Sequence, residues 1–103
     1  MHTSQPFTIG FIGLGLIGGS IAKSIRRIFP DYRILAYDVD TAALEEAIAD
    51  GTVHIALSAI DEQIADCSYI FLCAPVHYNI EYLPLIKKYM KPDCILTDVG
   101  SVK

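Results

Sequence analysis

Between Asp38 and Asp66 there is no lysine or arginine, while eight residues of that stretch are acidic. A surface of that sign repels phosphate backbones, which argues against nucleic acid as a partner. Apolar runs are short: none reaches the roughly 18 to 20 residues that span a bilayer, so no membrane partner is expected. The start, Met1-His2-Thr3-Ser4-Gln5-Pro6, has no basic n-region of the secretory kind. The three cysteines, Cys67, Cys73 and Cys94, show no C-x-x-C spacing, and the last two stand inside apolar runs. They read as buried free thiols in a reducing, cytoplasmic setting, with no metal site expected.

What is present is a core. Of 103 residues 52% are hydrophobic and 19% charged, which suits one packed domain and not a disordered chain. Strand-like and helix-like segments alternate. Residues 7–12 form a short apolar run bounded by Pro6 and Gly13, which predicts a buried strand. Ile17, Ile21, Ile25 and Ile28 then recur at helical spacing and predict one buried helix face, with Lys23, Arg26 and Arg27 on the surface and Pro30-Asp31 as the stop. Arg33 to Tyr37 reads as a second strand. Asp40 is placed to cap a helix running to about Asp50, with Gly51 as its exit. A weak strand is expected over 54–57, a short helix from Asp61 to about Asp66, and a strong strand over 69–73. A helix from about Tyr78 to Met90 is expected to kink or break at Pro84, before a last strand over 94–97. The order βαβαβαβαβ implies an α/β fold: a doubly wound, mostly parallel sheet with helices on both faces, of the Rossmann type.

The chemistry concentrates where strands end. Gly13-Leu14-Gly15-Leu16-Ile17-Gly18 lies between the first strand and the first helix. In such a turn Gly13 allows the tight bend, Gly15 lets backbone approach a pyrophosphate, and Gly18 lets the helix pack closely on the sheet. Amides at the helix start then point at the anion, helped by the helix dipole. The alternative is a glycine-rich turn with no ligand. Asp38 follows the second strand, 20 residues after Gly18. There a carboxylate can accept hydrogen bonds from adenosine ribose hydroxyls and repel a 2′-phosphate, so NAD is expected over NADP. A simple turn role is the competing reading for Asp38. Cys73-Ala74-Pro75-Val76 ends the fourth strand, and the loop Ala74, Pro75, Val76 is expected beside the ribose and nicotinamide; spacing alone equally allows an ordinary strand-ending turn.

Three motifs in order carry a family resemblance over nearly the whole chain. Gly13 to Ser20 resembles the glycine motif of prephenate and arogenate dehydrogenases, Ala74-Pro75-Val76 their loop after the fourth strand, and Asp98-Val99-Gly100-Ser101-Val102-Lys103 their D-x-G-S-x-K segment. The resemblance implies NAD-dependent oxidative decarboxylation of prephenate or arogenate in tyrosine biosynthesis, with hydride passing to the nicotinamide. It implies for Ser101 an auxiliary catalytic place near the nicotinamide and the substrate hydroxyl. The family's histidine lies in an H-P-M-x-G segment downstream of D-x-G-S-x-K, and His2, His54 and His77 stand in no such motif. The 103 residues therefore read as a dinucleotide-binding domain of a longer enzyme, inactive alone, whose substrate-binding and dimerising C-terminal domain lies outside this chain; a homodimer through that domain is the implied assembly.

Two other functions share parts of this pattern. A free-standing module that senses NAD or NADH uses the glycine turn and the acid without the Ser101 segment. A β-hydroxyacid dehydrogenase domain shares the first two motifs less closely, usually with Met where Ile17 stands. His77 reads as a polar residue starting a helix rather than a catalytic group, and His54 as a surface residue before the weak strand. Tyr78, Tyr82 and Tyr89 read as residues that cover the sheet, and Lys87, Lys88 and Lys91 as cations favouring a helix C-terminus.

Overall fold

A computed structural model of the chain describes residues 7–99. Five strands, β1 (Thr8–Ile12), β2 (Arg33–Tyr37), β3 (Ile55–Ala56), β4 (Tyr69–Leu72) and β5 (Ile95–Asp98), form one parallel sheet in the order β3-β2-β1-β4-β5. Three α-helices connect them: α1 (Gly15–Ile28), α2 (Thr41–Ala49) and α3 (Val76–Tyr89), with a 3₁₀ turn over Glu62–Asp66. The chain runs outward from β1 to β3, then returns to the other side of β1 for β4. The carboxyl ends of β1 and β4 therefore border the point where strand order reverses, the place where open α/β sheets bind ligands.

The register sorts side chains by parity. Ile9 and Phe11 of β1 stand in register with Ile34 and Ala36 of β2 and pack with Ala22 of α1 and Leu44 of α2. Ile12, Leu35, Ile70 and Leu72 face the other way and pack with Ile64, Tyr82 and Ile86, under the 3₁₀ turn and α3. Each face thus has its own apolar cluster. The doubly wound arrangement follows because a parallel sheet exposes two apolar faces and both must be covered.

Three local expectations need correction. On α1, Ile17 and Ile28 are exposed, Ile21 and Ile25 are partly buried, and the fully buried positions are Gly18 and Ala22. The helix lies so close to the sheet that small residues, not the isoleucines, occupy the contact line. On the third helix, Pro84 neither breaks nor ends α3, which runs from Val76, two residues before the expected start, to Tyr89. Pro84 lies on the exposed side, where the Ile80 carbonyl it leaves without a helical partner is one turn back toward solvent. Finally, Cys67 and Cys94 are buried as expected, but Cys73 is only partly so.

Other expectations hold to within a residue or two. Asp40 caps α2, its Oδ1 accepting from the Ala43 amide at 3.2 Å, and Asp61 begins the 3₁₀ turn by accepting from the Gln63 amide. No helix among the described residues is long and apolar enough to cross a membrane.

Candidate functional site: a dinucleotide cradle

The turn after β1 is held from three sides. The Gly13 amide donates to the Tyr37 carbonyl at 2.7 Å, which ties the turn to the end of β2. Gly13 has φ +82°, and a Cβ there would lie 2.6 Å from the Ala74 nitrogen, so the turn also abuts the loop after β4. Glycine is required twice over, by conformation and by space. Gly18 likewise faces Cys73, whose Sγ would stand 3.2 Å from an added Cβ. Gly15 differs. Its φ is +56°, yet nothing lies within 4 Å of the place a Cβ would take. The space over Gly15 is open to a ligand, whereas that beside Gly13 is filled by protein.

Helix α1 begins at Gly15 without a side-chain cap and with no acidic residue in its first turn. The amides of its first turn lack helical partners by geometry, and together with the dipole they present partial positive charge to whatever lies above. Leu16, 93% exposed, covers none of it. A diphosphate fits this arrangement: it supplies acceptors to amides that nothing else satisfies.

Not every amide of the turn is free for an anion. Leu14 donates its N–H to Asp38 Oδ2 at 2.8 Å, and the Asp40 amide donates to Asp38 Oδ1 at 2.9 Å. Asp38 thus acts as the turn residue of its alternative reading and, at the same time, braces the glycine turn across 24 residues of sequence. Each carboxylate oxygen keeps a second lone pair, so acceptance from ribose hydroxyls is compatible with both bonds. Spacing alone had no signal for this cross-brace, because it depends on β1 and β2 being neighbours in register.

A cleft of about 270 Å³ opens between these pieces. It is lined by Gly13 and Gly15 of the turn, by Asp38, Val39 and Asp40 after β2, and by Ala74, Pro75, Tyr78 and Tyr82 after β4. Pro75 is the residue before α3, with ψ 151°, and Val76 is the first residue of that helix rather than part of the loop. Cys73 borders the cleft, but burial and the nearby Asp98 push its thiol up to about 11, and burial raises Cys67 to about 12. Protonated thiols are poor nucleophiles and poor ligands. Among the described residues no His, Cys, Asp and Glu cluster has metal-binding arrangement. Ser101 lies outside the described residues, as do Gly100, Val102 and Lys103.

Of the histidines, His77 is exposed on the first turn of α3, its ring 4.4 Å from that of Tyr78 and tilted 36° to it. His54 does more than occupy a surface: its Nδ1 accepts from the Ile34 amide at 3.0 Å and its own amide donates to the Ile34 carbonyl at 2.9 Å. It acts as an extra rung between β2 and the segment before β3. Arg26 also has a structural role, its Nε donating to the Gly51 carbonyl and its Nη1 to that of Pro30.

A glycine turn open over Gly15, an uncapped helix N-terminus and an acid at the end of β2, all at a sheet's switch point, define a dinucleotide-binding domain of the Rossmann type. Residues 21–103 match the family described as prephenate dehydrogenase, nucleotide-binding domain, and the chain belongs to that family. Among relatives, prephenate dehydrogenase of Lactococcus lactis subsp. cremoris is 35% identical over 96 residues, which cover 89% of this chain and 26% of that protein. Among solved structures, arogenate dehydrogenase of Synechocystis superposes with TM-score 0.81 at 31% identity, over 93% of this chain and 34% of that one. Prephenate dehydrogenase of A. aeolicus, solved with hydroxyphenyl propionate and NAD+, superposes with TM-score 0.85 at 28% identity, over 100% and 36%. The chain thus spans about a quarter to a third of the length of these relatives.

Proposed function

We propose that this domain binds NAD, with the diphosphate over Gly15 and the adenosine ribose on Asp38, and that within a longer protein it serves the oxidative decarboxylation of prephenate or arogenate. The observation that carries the reading is the contrast between Gly13 and Gly15: both have positive φ, but only at Gly15 is the space for a Cβ left empty. When bound, NAD supplies the hydride acceptor. The chain's own residues do the seating. Gly13 and Asp38 hold the turn, the first-turn amides of α1 take the phosphates, and Asp38 and Asp40 keep negative charge where a 2′-phosphate would fall. The loop Ala74-Pro75 lines the same cleft. Ser101 is assigned the auxiliary place beside nicotinamide and substrate, on the match of Asp98 to Lys103 to the family segment. The remaining substrate groups, including a histidine, and the dimer contacts are assigned to a C-terminal domain outside these 103 residues, in a cytoplasmic enzyme.

Calorimetric titration of the chain with NAD and NADP tests the cofactor assignment. The expected result is NAD binding at least tenfold tighter than NADP, and no prephenate or arogenate oxidation by this chain alone. Equal binding of the two nucleotides overturns the role given to Asp38, and binding of neither overturns the reading as a whole. Turnover by the isolated chain at an ordinary enzyme rate removes the need for the distal domain.

A further inference from the structure

A second concavity, of about 410 Å³, lies between α2 and β3 at the edge of the sheet. It shares no lining residue with the nucleotide cleft. Leu44, Glu45, Ile48 and Ala49 of α2 line it together with Ala56 and Leu57, and all but the glutamate are apolar. Ile48 is 39% exposed and Ala56 is exposed, so the groove is open to solvent. Register explains the space. Ala56 stands beside Ala36, which packs with Leu44 and Ala47 of α2, so Ala56 faces the same side of the sheet. A methyl group there does not fill the room under the flank of the helix.

The groove adjoins an open strand edge. β3 is the outermost strand on its side, with β2 as its one neighbour among the described residues. Leu57 donates to the Ala36 carbonyl at 2.7 Å, and Ala36 is the register partner of Ala56. Successive residues of a strand turn their main-chain groups to opposite sides, so the N–H and C=O of Ala56 point away from β2. From Val53 to Ile60 there is no Asp, Glu, Lys, Arg or Pro, the residues that keep a sheet edge from pairing.

Three features specify the occupant. A donor and an acceptor on a strand edge are matched by another extended main chain. The apolar lining calls for a large aliphatic side chain on the residue that turns toward α2. Charge supplies the third. Both α2 and β3 belong to the stretch from Asp38 to Asp66, with eight acidic residues and no Lys or Arg, and Glu45 stands in the groove itself. Flanking side chains of the occupant are therefore favoured when positive. We infer that the β3 edge and the adjoining flank of α2 form a docking site for an extended segment of a partner protein. The segment adds as a strand beside Ala56, buries an aliphatic side chain in the groove and carries Lys or Arg two residues away, on the same face. The inference is independent of the nucleotide reading.

The experiment titrates two end-blocked peptides, Lys-Thr-Leu-Thr-Lys and Glu-Thr-Leu-Thr-Glu, into the 103-residue chain by calorimetry, with the Ala56 amide followed by NMR hydrogen exchange. The lysine peptide should bind with Kd below ~1 mM, more tightly than the glutamate peptide, and slow exchange at Ala56. Serine in place of the peptide's leucine should weaken binding roughly ten- to 150-fold, as loss of one buried aliphatic side chain requires. Ala56→Pro removes an amide that faces outward, a change edge strands tolerate, and should weaken the lysine peptide roughly two- to tenfold. Glu45 is exposed, and Glu45→Lys should reverse the preference between the two peptides. Circular dichroism checks folding of each variant. Absence of binding up to ~1 mM, equal binding of the two peptides, or folded Ala56→Pro and Glu45→Lys chains that bind like the parent each overturn the site. If sedimentation shows the parent to be a dimer that Ala56→Pro converts to a monomer, the edge is taken by a second copy and the partner assignment falls.

Discussion

Gly13 and Gly15 are two residues apart, share the same motif and have similar backbone signs, yet substitution should separate them cleanly. Alanine at Gly13 puts its Cβ 2.6 to 2.8 Å from Ala74 backbone and side chain. Neither that loop nor the Gly13–Tyr37 bond can shift cheaply, so Gly13→Ala is expected to destabilise the fold by about 2–4 kcal/mol, in the range for overpacking combined with backbone strain. Alanine at Gly15 meets nothing and carries only the left-handed backbone cost of roughly 1–2 kcal/mol. Gly15→Ala should therefore stay folded but lose NAD, because its methyl occupies the ligand's space. Urea unfolding and calorimetry on the two variants check this; a Gly15→Ala chain with undiminished NAD affinity contradicts the placement of the diphosphate. The sequence motif identifies both glycines but does not say which serves the protein and which the ligand. That division depends on Ala74, which is 61 positions away in sequence from Gly13 and is brought there by strand pairing.

At the scale of elements, α3 and the β2–β3 edge each contain a device that departs from local propensity. Pro84 inside α3 removes one helical hydrogen bond on an exposed flank. Pro84→Ala restores it, and the expected gain is about 1–3 kcal/mol, measured as a shift of the urea midpoint with unchanged slope. A loss of stability on this change would mean that the ring supports a contact the exposed position does not suggest. His54 does the reverse and adds a rung. Its Nδ1 accepts the Ile34 amide only while that nitrogen is unprotonated. Burial, then the charges of Arg26 and Arg33, hold its pKa below the ordinary histidine value of 6.5. A group whose folded pKa lies below its unfolded one takes up its proton first in the unfolded chain, so its stabilising contribution is complete above pH 6.5 and is lost as pH falls through the folded value. The parent should lose stability on acidification below pH 6.5 more steeply than His54→Ala; identical profiles would falsify the proposed rung.

For the molecule as a whole, two apolar clusters on opposite faces share one sheet, and the three central strands, β1, β2 and β4, contribute to both. Phe11 and Ile70 are fully buried on opposite faces. Alanine at either is expected to cost about 2–5 kcal/mol and to shift a single cooperative transition, since neither cluster can persist once the strands that carry both come apart. Two separated transitions in either variant would show the faces to be independent. The net charge of −4 over the chain agrees with the local picture at the cofactor rim, where Asp38 and Asp40 set the preference between nucleotides.

The order of elements, the parallel sheet, the glycine turn and the acid after β2 were all legible from local pattern, because periodicity, turn chemistry and capping act over a few residues. Asp40 and Asp61 as caps belong with them. Several features were not legible. Small residues rather than isoleucines make the contact line of α1; Pro84 is tolerated; Asp38 braces Leu14; His54 pairs Ile34; and the rings of Tyr37, Tyr78 and Tyr82 meet. Apart from Pro84, which is tolerated because its flank of α3 is exposed, each rests on groups 20 to 45 positions apart, or on the distance between a helix and a sheet. Local pattern says which way a residue tends to face within its own element. Which neighbour it meets is set only when five strands take their order and both faces of the sheet are closed.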